Sequence, residues 1–359
     1  MARVPERAYA RAGVDAEGAA DGVRALVDVL RTIDLGRPSR ALLGSGHYAN
    51  VLRLDDRTGI ALSTDGVGTK LIVAEQLRRF DTVGVDCIAM NVNDVVCVGA
   101  EPIAVLDYIA VEEPDPELLS AVARGLKDGA EQAGVEIPGG EVAQVPELIR
   151  GHPSPYGLDL VGACIGTVDP DELITGANAE PGDAIVGLPA SGVHSNGLTL
   201  AREALGELDE APPELDGATV GETLLEPTVI YVRAVRDLLA SEVDVRGLAH
   251  ITGDGLLNLL RLEAEVGYRV DSPLAPQPIF DLIATRGAIG AAELYEVFNM
   301  GCGFCVVVPQ VDAPAAVELL GNSHPGAAVI GEVTGSAGVV ELPGPGLTGR
   351  RGEGFSANE

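Results

Sequence analysis

The chain has 359 residues, 46% of them hydrophobic, with mean hydropathy +0.22 and a formal net charge of −30 at pH 7. This length exceeds one ordinary core and predicts two domains, and the apolar content excludes a disordered chain. The charge excludes nucleic acid and an anionic membrane surface as partners, since both require a basic face, and no run approaches the roughly 20 apolar residues of a membrane span.

Met1 to Ala10 is charged and lacks an apolar stretch, so no signal peptide is expected. The five cysteines are scattered in apolar runs and read as reduced thiols of a cytoplasmic protein. Cys302 and Cys305 stand three apart in a predicted strand and are expected on opposite faces, which argues against metal or redox use. Val23, Leu26, Val27 and Leu30 repeat at helical spacing. Gly44 to Asn50 is a flexible turn before a strand at 51–54, and its His47 is a candidate ligand or acid, or an exposed turn residue.

Ile60 to Thr64 predicts a buried strand feeding Ser63-Thr64-Asp65-Gly66-Val67-Gly68-Thr69-Lys70. Gly66 and Gly68 let the backbone approach a ligand, Thr69 offers a hydroxyl, Lys70 a point charge, and Asp65 a carboxylate able to hold Mg²⁺. The spacing is not that of a Walker loop. Lysine occurs only at 70 and 127, so its placement in this loop points to a charge needed there.

Asp81 to Val98 reads as an apolar helix broken by Asn91, Asn93 and Asp94, polar groups that neighbours or a ligand must satisfy. Ile103 to Ala110 is a strand interrupted by Asp107, 116–134 an amphipathic helix, and 137–141 a turn carrying Glu141. Leu158 to Val168 is a strand, after which prolines and glycines mark a boundary between domains 1–168 and 169–342. In the second half, a strand at 184–188 leads through the turn Ser191 to Gly197 into a helix from Leu198. Helices follow at 228–240, up to Leu262 and at 313–320, with strands at 304–308 and 327–333. Gly, Pro and charge over 343–359 predict a disordered tail.

Asp65, Asp94 and Glu141 each lie beside a glycine turn, and with Lys70 they suggest a metal–nucleotide site. The turn at His194 has two readings. In one, Ser195 and Asn196 cap the helix and His194 packs; in the other, the helix start holds a substrate's phosphate and His194, titrating near neutrality, donates to it.

Ser63–Lys70, Ala89–Asp94, Gly99–Pro102, Leu106–Tyr108 and Gly139–Glu141 occur in the order seen in the phosphoribosylformylglycinamidine cyclo-ligase (aminoimidazole ribonucleotide synthetase) family. Ser191–Gly197, Leu224–Thr228, His250–Gly253 and Phe298–Gly303 extend the resemblance to about Leu342. It implies two α/β (α+β) domains, the N-terminal sheet forming a barrel at a homodimer interface and the C-terminal sheet flanked by helices. It implies ATP-dependent ring closure of formylglycinamidine ribonucleotide, a small-molecule substrate. ATP and Mg²⁺ would be held by Asp65, Gly66, Gly68, Thr69, Lys70, Asn93, Asp94, Asp107 and Glu141, the metal by Asp65, Asp94 and Glu141, and catalysis would involve Lys70, His194 and His47.

The chain departs from the family pattern at Ala10-Arg11, at Gly44 to Asn50 and at Val142 to Pro146, all near the expected ligand surface. Other ATP-dependent superfamily members remain as alternatives (thiamine-monophosphate kinase, selenophosphate synthetase, hydrogenase-maturation proteins), as does a non-catalytic nucleotide-binding paralogue.

Overall fold

The computed structural model describes residues 8–13 and 15–358. A short helix α1 (Ala8–Arg11) and the amphipathic α2 (Ala16–Leu30) precede β1 (Asn50–Arg53) and β2 (Gly59–Gly66). Then come α3 (Lys70–Leu77), α4 (Asp81–Val96), β3 (Glu101–Val111), α5 (Pro116–Ala133), β4 (Gly140–Gln144) and β5 (Leu158–Val168). These five strands form one sheet in the order β1-β2-β5-β3-β4, antiparallel except where β3 runs parallel to β4. Side chains alternate across it, as a pleated strand requires. In β5, Leu158, Leu160, Gly162, Cys164, Gly166 and Val168 are buried while the alternate residues between them are partly open.

The buried face packs on α4, which crosses α5 at glycines. A Cβ on Gly84 would lie 2.3 Å from the Leu126 nitrogen, and one on Gly125 1.8 Å from the Asp81 carbonyl oxygen, so larger residues would force the helices apart. α5 itself is closed at both ends by local chemistry. Asp115 accepts from the Glu117 N–H at its start, and Gly134 adopts left-handed φ at its end.

The second sheet holds β6 (Ala184–Pro189), β7 (Gly247–His250), β8 (Gly267–Arg269), β9 (Cys302–Val308), β10 (Ala328–Thr334), β11 (Val339–Leu342), β12 (Leu347–Arg350) and β13 (Gly354–Ala357). Its order is β13-β12-β11-β8-β10-β6-β9-β7, with every residue of β9, paired between β6 and the edge strand β7, buried. Helices α6 (Leu198–Leu205), α7 (Val220–Leu224), α8 (Val232–Leu239), α9 (Pro278–Gly287), α10 (Ala291–Val297) and α11 (Ala313–Ser323) lie between these strands, with a 3₁₀ stretch at Gly255–Arg261. No helix among the described residues is long and apolar enough to cross a membrane.

Two expectations are corrected here. The tail at 343–359 is not disordered over its described part: β12 and β13 form an antiparallel hairpin that extends the sheet, with Leu347 and Phe355 buried. The glycines that suggested disorder make its bends, Gly346, Gly352 and Gly354 all having left-handed φ. Cys302 and Cys305 are not sent apart either. The register between β6 and β9 shifts at Leu188/Pro189, and the two buried sulfurs lie 3.6 Å apart.

Candidate active site

The domains meet along α4, whose polar residues reach across to the second half of the chain. Asn93 Nδ2 donates to the Val229 carbonyl at 2.8 Å, and its Oδ1 accepts from the Tyr231 N–H at 3.0 Å. Asn91 Nδ2 donates to the carbonyls of Cys87 and Asp65. Neighbours therefore satisfy the whole Asn93 amide but only the Nδ2 of Asn91, whose buried Oδ1 has no partner among the described residues, and Asn93 joins the domains instead of facing a nucleotide.

Asp94 lies one residue on and points into the seam. Its Oδ1 is 2.9 Å from His250 Nδ1, at the end of β7. With Nδ1 carrying the proton, Nε2 is left as an acceptor 3.5 Å from Asn93 Nδ2, and the imidazole fixes the carboxylate's direction. Asp65 ends β2 beside it, with Oδ1 accepting from the Gly66 N–H at 2.8 Å. Burial first, and the neighbouring Asp94 charge second, push the Asp65 carboxyl up to about 6 from an ordinary 3.8. His250 and Arg261 offset this only in part. Two neighbouring carboxylates whose repulsion is only partly offset are a place where a cation is favoured.

At the domain seam opens a cleft of about 650 Å³, bounded by His47, Asp254, Arg261 and Arg351 among others, and Arg261, whose charge bears on Asp65, links it to the carboxylate pair. That volume suits a small-molecule ligand. Arg261 lies over the Tyr48 ring, 4.9 Å from its centroid, and Tyr48 Oη donates to the Asn258 carbonyl. His47 is held 3.3 Å from Glu263 and joins the glycine turn of the first domain to the second. The structure thus brings Asp65, Asp94 and His47 to one seam. Arg261 and His250 were not singled out as site residues. His250 stood in a recognisable block, whereas nothing local marks Arg261.

Other expected site residues lie elsewhere. Asp65, Gly162, Asp107 and Gly140 share one row across β2, β5, β3 and β4. Glu141, next to Gly140 on the edge strand, is therefore three strand steps from Asp65, roughly 14 Å. The trio Asp65–Asp94–Glu141 is not assembled within one chain, and no group of three metal-ligating side chains occurs among the described residues. Asp107 sits two steps away against Gly140.

Lys70 does not face the cleft. It is wholly buried, its Nζ 2.9 Å from both oxygens of Asp86 and 2.6 Å from the Glu226 carbonyl. Gly68, with left-handed φ and open space around it, turns the loop so that the next residues start α3 inward. Gly66 ends β2 and Thr69 stands just before α3, its Oγ1 lying 2.9 Å from Thr199 Oγ1.

His194 is buried too, its Nε2 accepting from the Ser191 N–H at 3.2 Å. Burial, with the nearby His250 and Lys70, holds it well below the usual 6.5, so near-neutral titration is corrected to a neutral imidazole. Neither Ser195 nor Asn196 caps α6. The position before the helix is Gly197 with left-handed φ, where a Cβ would strike Phe298, and Ser195 Oγ instead lies 3.2 Å from Thr228 Oγ1.

Comparison with known proteins agrees with this architecture. The family described as AIR synthase related protein, N-terminal domain, matches residues 46–168, and its C-terminal counterpart matches 180–342. A phosphoribosylformylglycinamidine cyclo-ligase of Methanothermobacter thermautotrophicus is 48% identical over 339 residues, covering 93% of this chain and 96% of its own. One from Thermococcus kodakarensis is 45% identical over 337 residues, covering 92% and 96%. Among solved structures, AaThiL complexed with AMPPCP and TMP aligns with TM-score 0.62 at 17% identity, over 89% of this chain and 92% of that one. The hydrogenase maturation protein HypE in complex with ATP aligns with TM-score 0.60 at 23% identity, over 86% and 88%. At such identities the likeness is one of fold.

Proposed function

The chain belongs to the phosphoribosylformylglycinamidine cyclo-ligase family, and from that membership we propose how its interdomain seam carries out the reaction. The enzyme is an ATP-dependent ligase that forms a C–N bond, closing formylglycinamidine ribonucleotide to aminoimidazole ribonucleotide in purine biosynthesis. An amide oxygen is a poor leaving group, so the reaction needs it activated. In our reading the formamide oxygen attacks the γ-phosphorus of ATP and ADP departs. The amidine nitrogen then attacks the activated carbon, the C–N bond forms and that nitrogen loses its proton, the oxygen leaves with inorganic phosphate, and transfer of a methylene proton to the imine nitrogen makes the new ring aromatic.

The observation that carries this placement is the Asp65–Asp94 pair at the domain seam. Its repulsion and its donor set fit Mg²⁺, which takes one or two carboxylates and completes its shell with phosphate and water oxygens. Such an ion would neutralise charge on the transferring phosphoryl group. Asp65 and Asp94 would hold it, His250 would orient Asp94, and Arg261 and His47 would line the nucleotide's side of the cleft. Incubation with ATP, Mg²⁺ and formylglycinamidine ribonucleotide is expected to yield aminoimidazole ribonucleotide with one ADP and one phosphate per turnover. ATP consumption only with another acceptor, such as thiamine monophosphate, would overturn the reading.

A homodimer belongs to the same proposal. The face of the first sheet turned away from α4 carries Leu52, Leu62, Leu106 and Tyr108, each 37–42% exposed. Contiguous apolar surface of this kind marks an interface, and a second copy of the same sheet would close it into a barrel. Tyr108→Glu with Leu106→Glu is expected to halve the mass in light scattering; an unsubstituted chain that is monomeric would refute the dimer. Cytoplasmic residence is part of this reading, supported by five free, buried thiols.

A further inference from the structure

A second cavity, of about 350 Å³, opens between α3 and α6, away from the cleft beside Asp65. Gln76, Thr199 and Arg202 line it, and Ala12 closes one side. Thr199 and Arg202 are three residues apart on α6 and so share a face. The Thr199 hydroxyl meets that of Thr69, from the glycine loop of the first domain. Arg202 is half-buried, yet among the described residues its guanidinium has no hydrogen-bond or ion-pair partner. Burial holds its pKa below the usual value, and Glu75, the carboxylate that partly offsets it, is itself committed to the N–H groups of His152 and Leu158. Glu203, at the rim, is exposed and makes no ion pair with it.

An unpaired guanidinium beside two hydroxyls is a recognition set for a phosphate, which a planar fork of donors fits. We propose that this cavity holds the phosphomonoester of the ribonucleotide substrate, through Arg202, Thr199 and Thr69. The inference rests on the cyclo-ligase reading and adds to it where the substrate is anchored. Thr69 is four residues from Asp65, a span of at most about 14 Å. A phosphate here therefore leaves the rest of one small ligand free to reach the carboxylate pair. It also assigns the anchor to the far side of α6's first turn, not to the buried His194.

The test compares Arg202→Gln with the unsubstituted enzyme on formylglycinamidine ribonucleotide and on the same compound lacking its 5′-phosphate. Charge-assisted hydrogen bonds of this kind correspond to a rise of roughly 10- to 100-fold in KM for the nucleotide. The KM for ATP is expected to stay unchanged, Arg202→Lys to recover part of the loss, and the two enzymes to be equal on the phosphate-free compound. Thr199→Val, with its thermal unfolding measured alongside, serves if Arg202→Gln does not fold, and should show the same selectivity. An unchanged KM, an equal penalty on both compounds, or a rise in KM for ATP alone would overturn the proposal. Failure of the unsubstituted enzyme to turn over would instead refute the cyclo-ligase reading itself.

Discussion

Lys70→Met is expected to destabilise the chain by about 3–5 kcal/mol, the usual consequence of removing one partner of a buried ion pair. Lys70 and Asp86 are both fully buried. The Asp86 Oδ1 that faces the ammonium also accepts from the Thr228 N–H at 2.7 Å and the Thr228 hydroxyl at 2.6 Å. Lys70 in turn donates to the Glu226 carbonyl. The hub therefore ties α3 and α4 to residues 226–228 of the second domain, and without the lysine it retains a buried carboxylate with no counter-charge. Burial lowers the Lys70 pKa while Asp86 raises it, opposing effects that show how much the pair depends on staying together. The urea midpoint should fall with little change in slope. Lys70→Arg should rescue poorly, because the wider fork does not fit a point-charge site. Adding Asp86→Leu to Lys70→Met should recover part of the loss, limited by the Thr228 N–H left unpaired. A Lys70→Met variant that unfolds at the normal midpoint but has lost turnover would place the ammonium at the phosphates instead.

Asp94→Asn is expected to lower turnover by about 10²- to 10³-fold, the scale seen when one group stabilising developing charge is removed. The amide can still accept from His250 Nδ1, so the fold should survive, and unchanged activity would exclude the carboxylate pair as the metal site. The partner substitution, Asp65→Asn, separates charge from shape through pH. Because the folded-state pKa of Asp65 is raised, its favourable contribution is complete below 3.8 and is lost as pH rises through about 6. In metal-free buffer Asp65→Asn should therefore melt above the unsubstituted protein above pH 6, with the margin closing as pH falls towards 3.8. A constant margin across that range would mean that Asp65 is not under the strain described.

Much of the backbone was legible in local spacing. The alternation in Leu158 to Val168 and the apolar stripe of 81–96 encode β5 and α4 directly, because pleat and helix periods act over a few residues. The glycine, proline and acid signals between 169 and 184 fall in the stretch between β5 and β6. The order of short blocks pointed to the family, and Asp94 and His47 each reach a residue of the second domain, His250 and Glu263.

Tertiary structure alone decided which polar residues were available for chemistry. Lys70 and Asp65 look equivalent on one loop, yet a single left-handed turn at Gly68 sends the lysine into a hub with Glu226, 156 residues away. Asp94 and Glu141 look equivalent as loop acids, but α4 lies against β2 while β4 is the far edge of the same sheet. His194 is silenced by burial, the tail is ordered by pairing with β11, and Arg202 has no hydrogen-bond or ion-pair partner among the described residues. Local sequence specifies backbone period and turn chemistry, whereas burial and charge pairing depend on contacts between distant segments, and those exist only once the two domains have closed on each other.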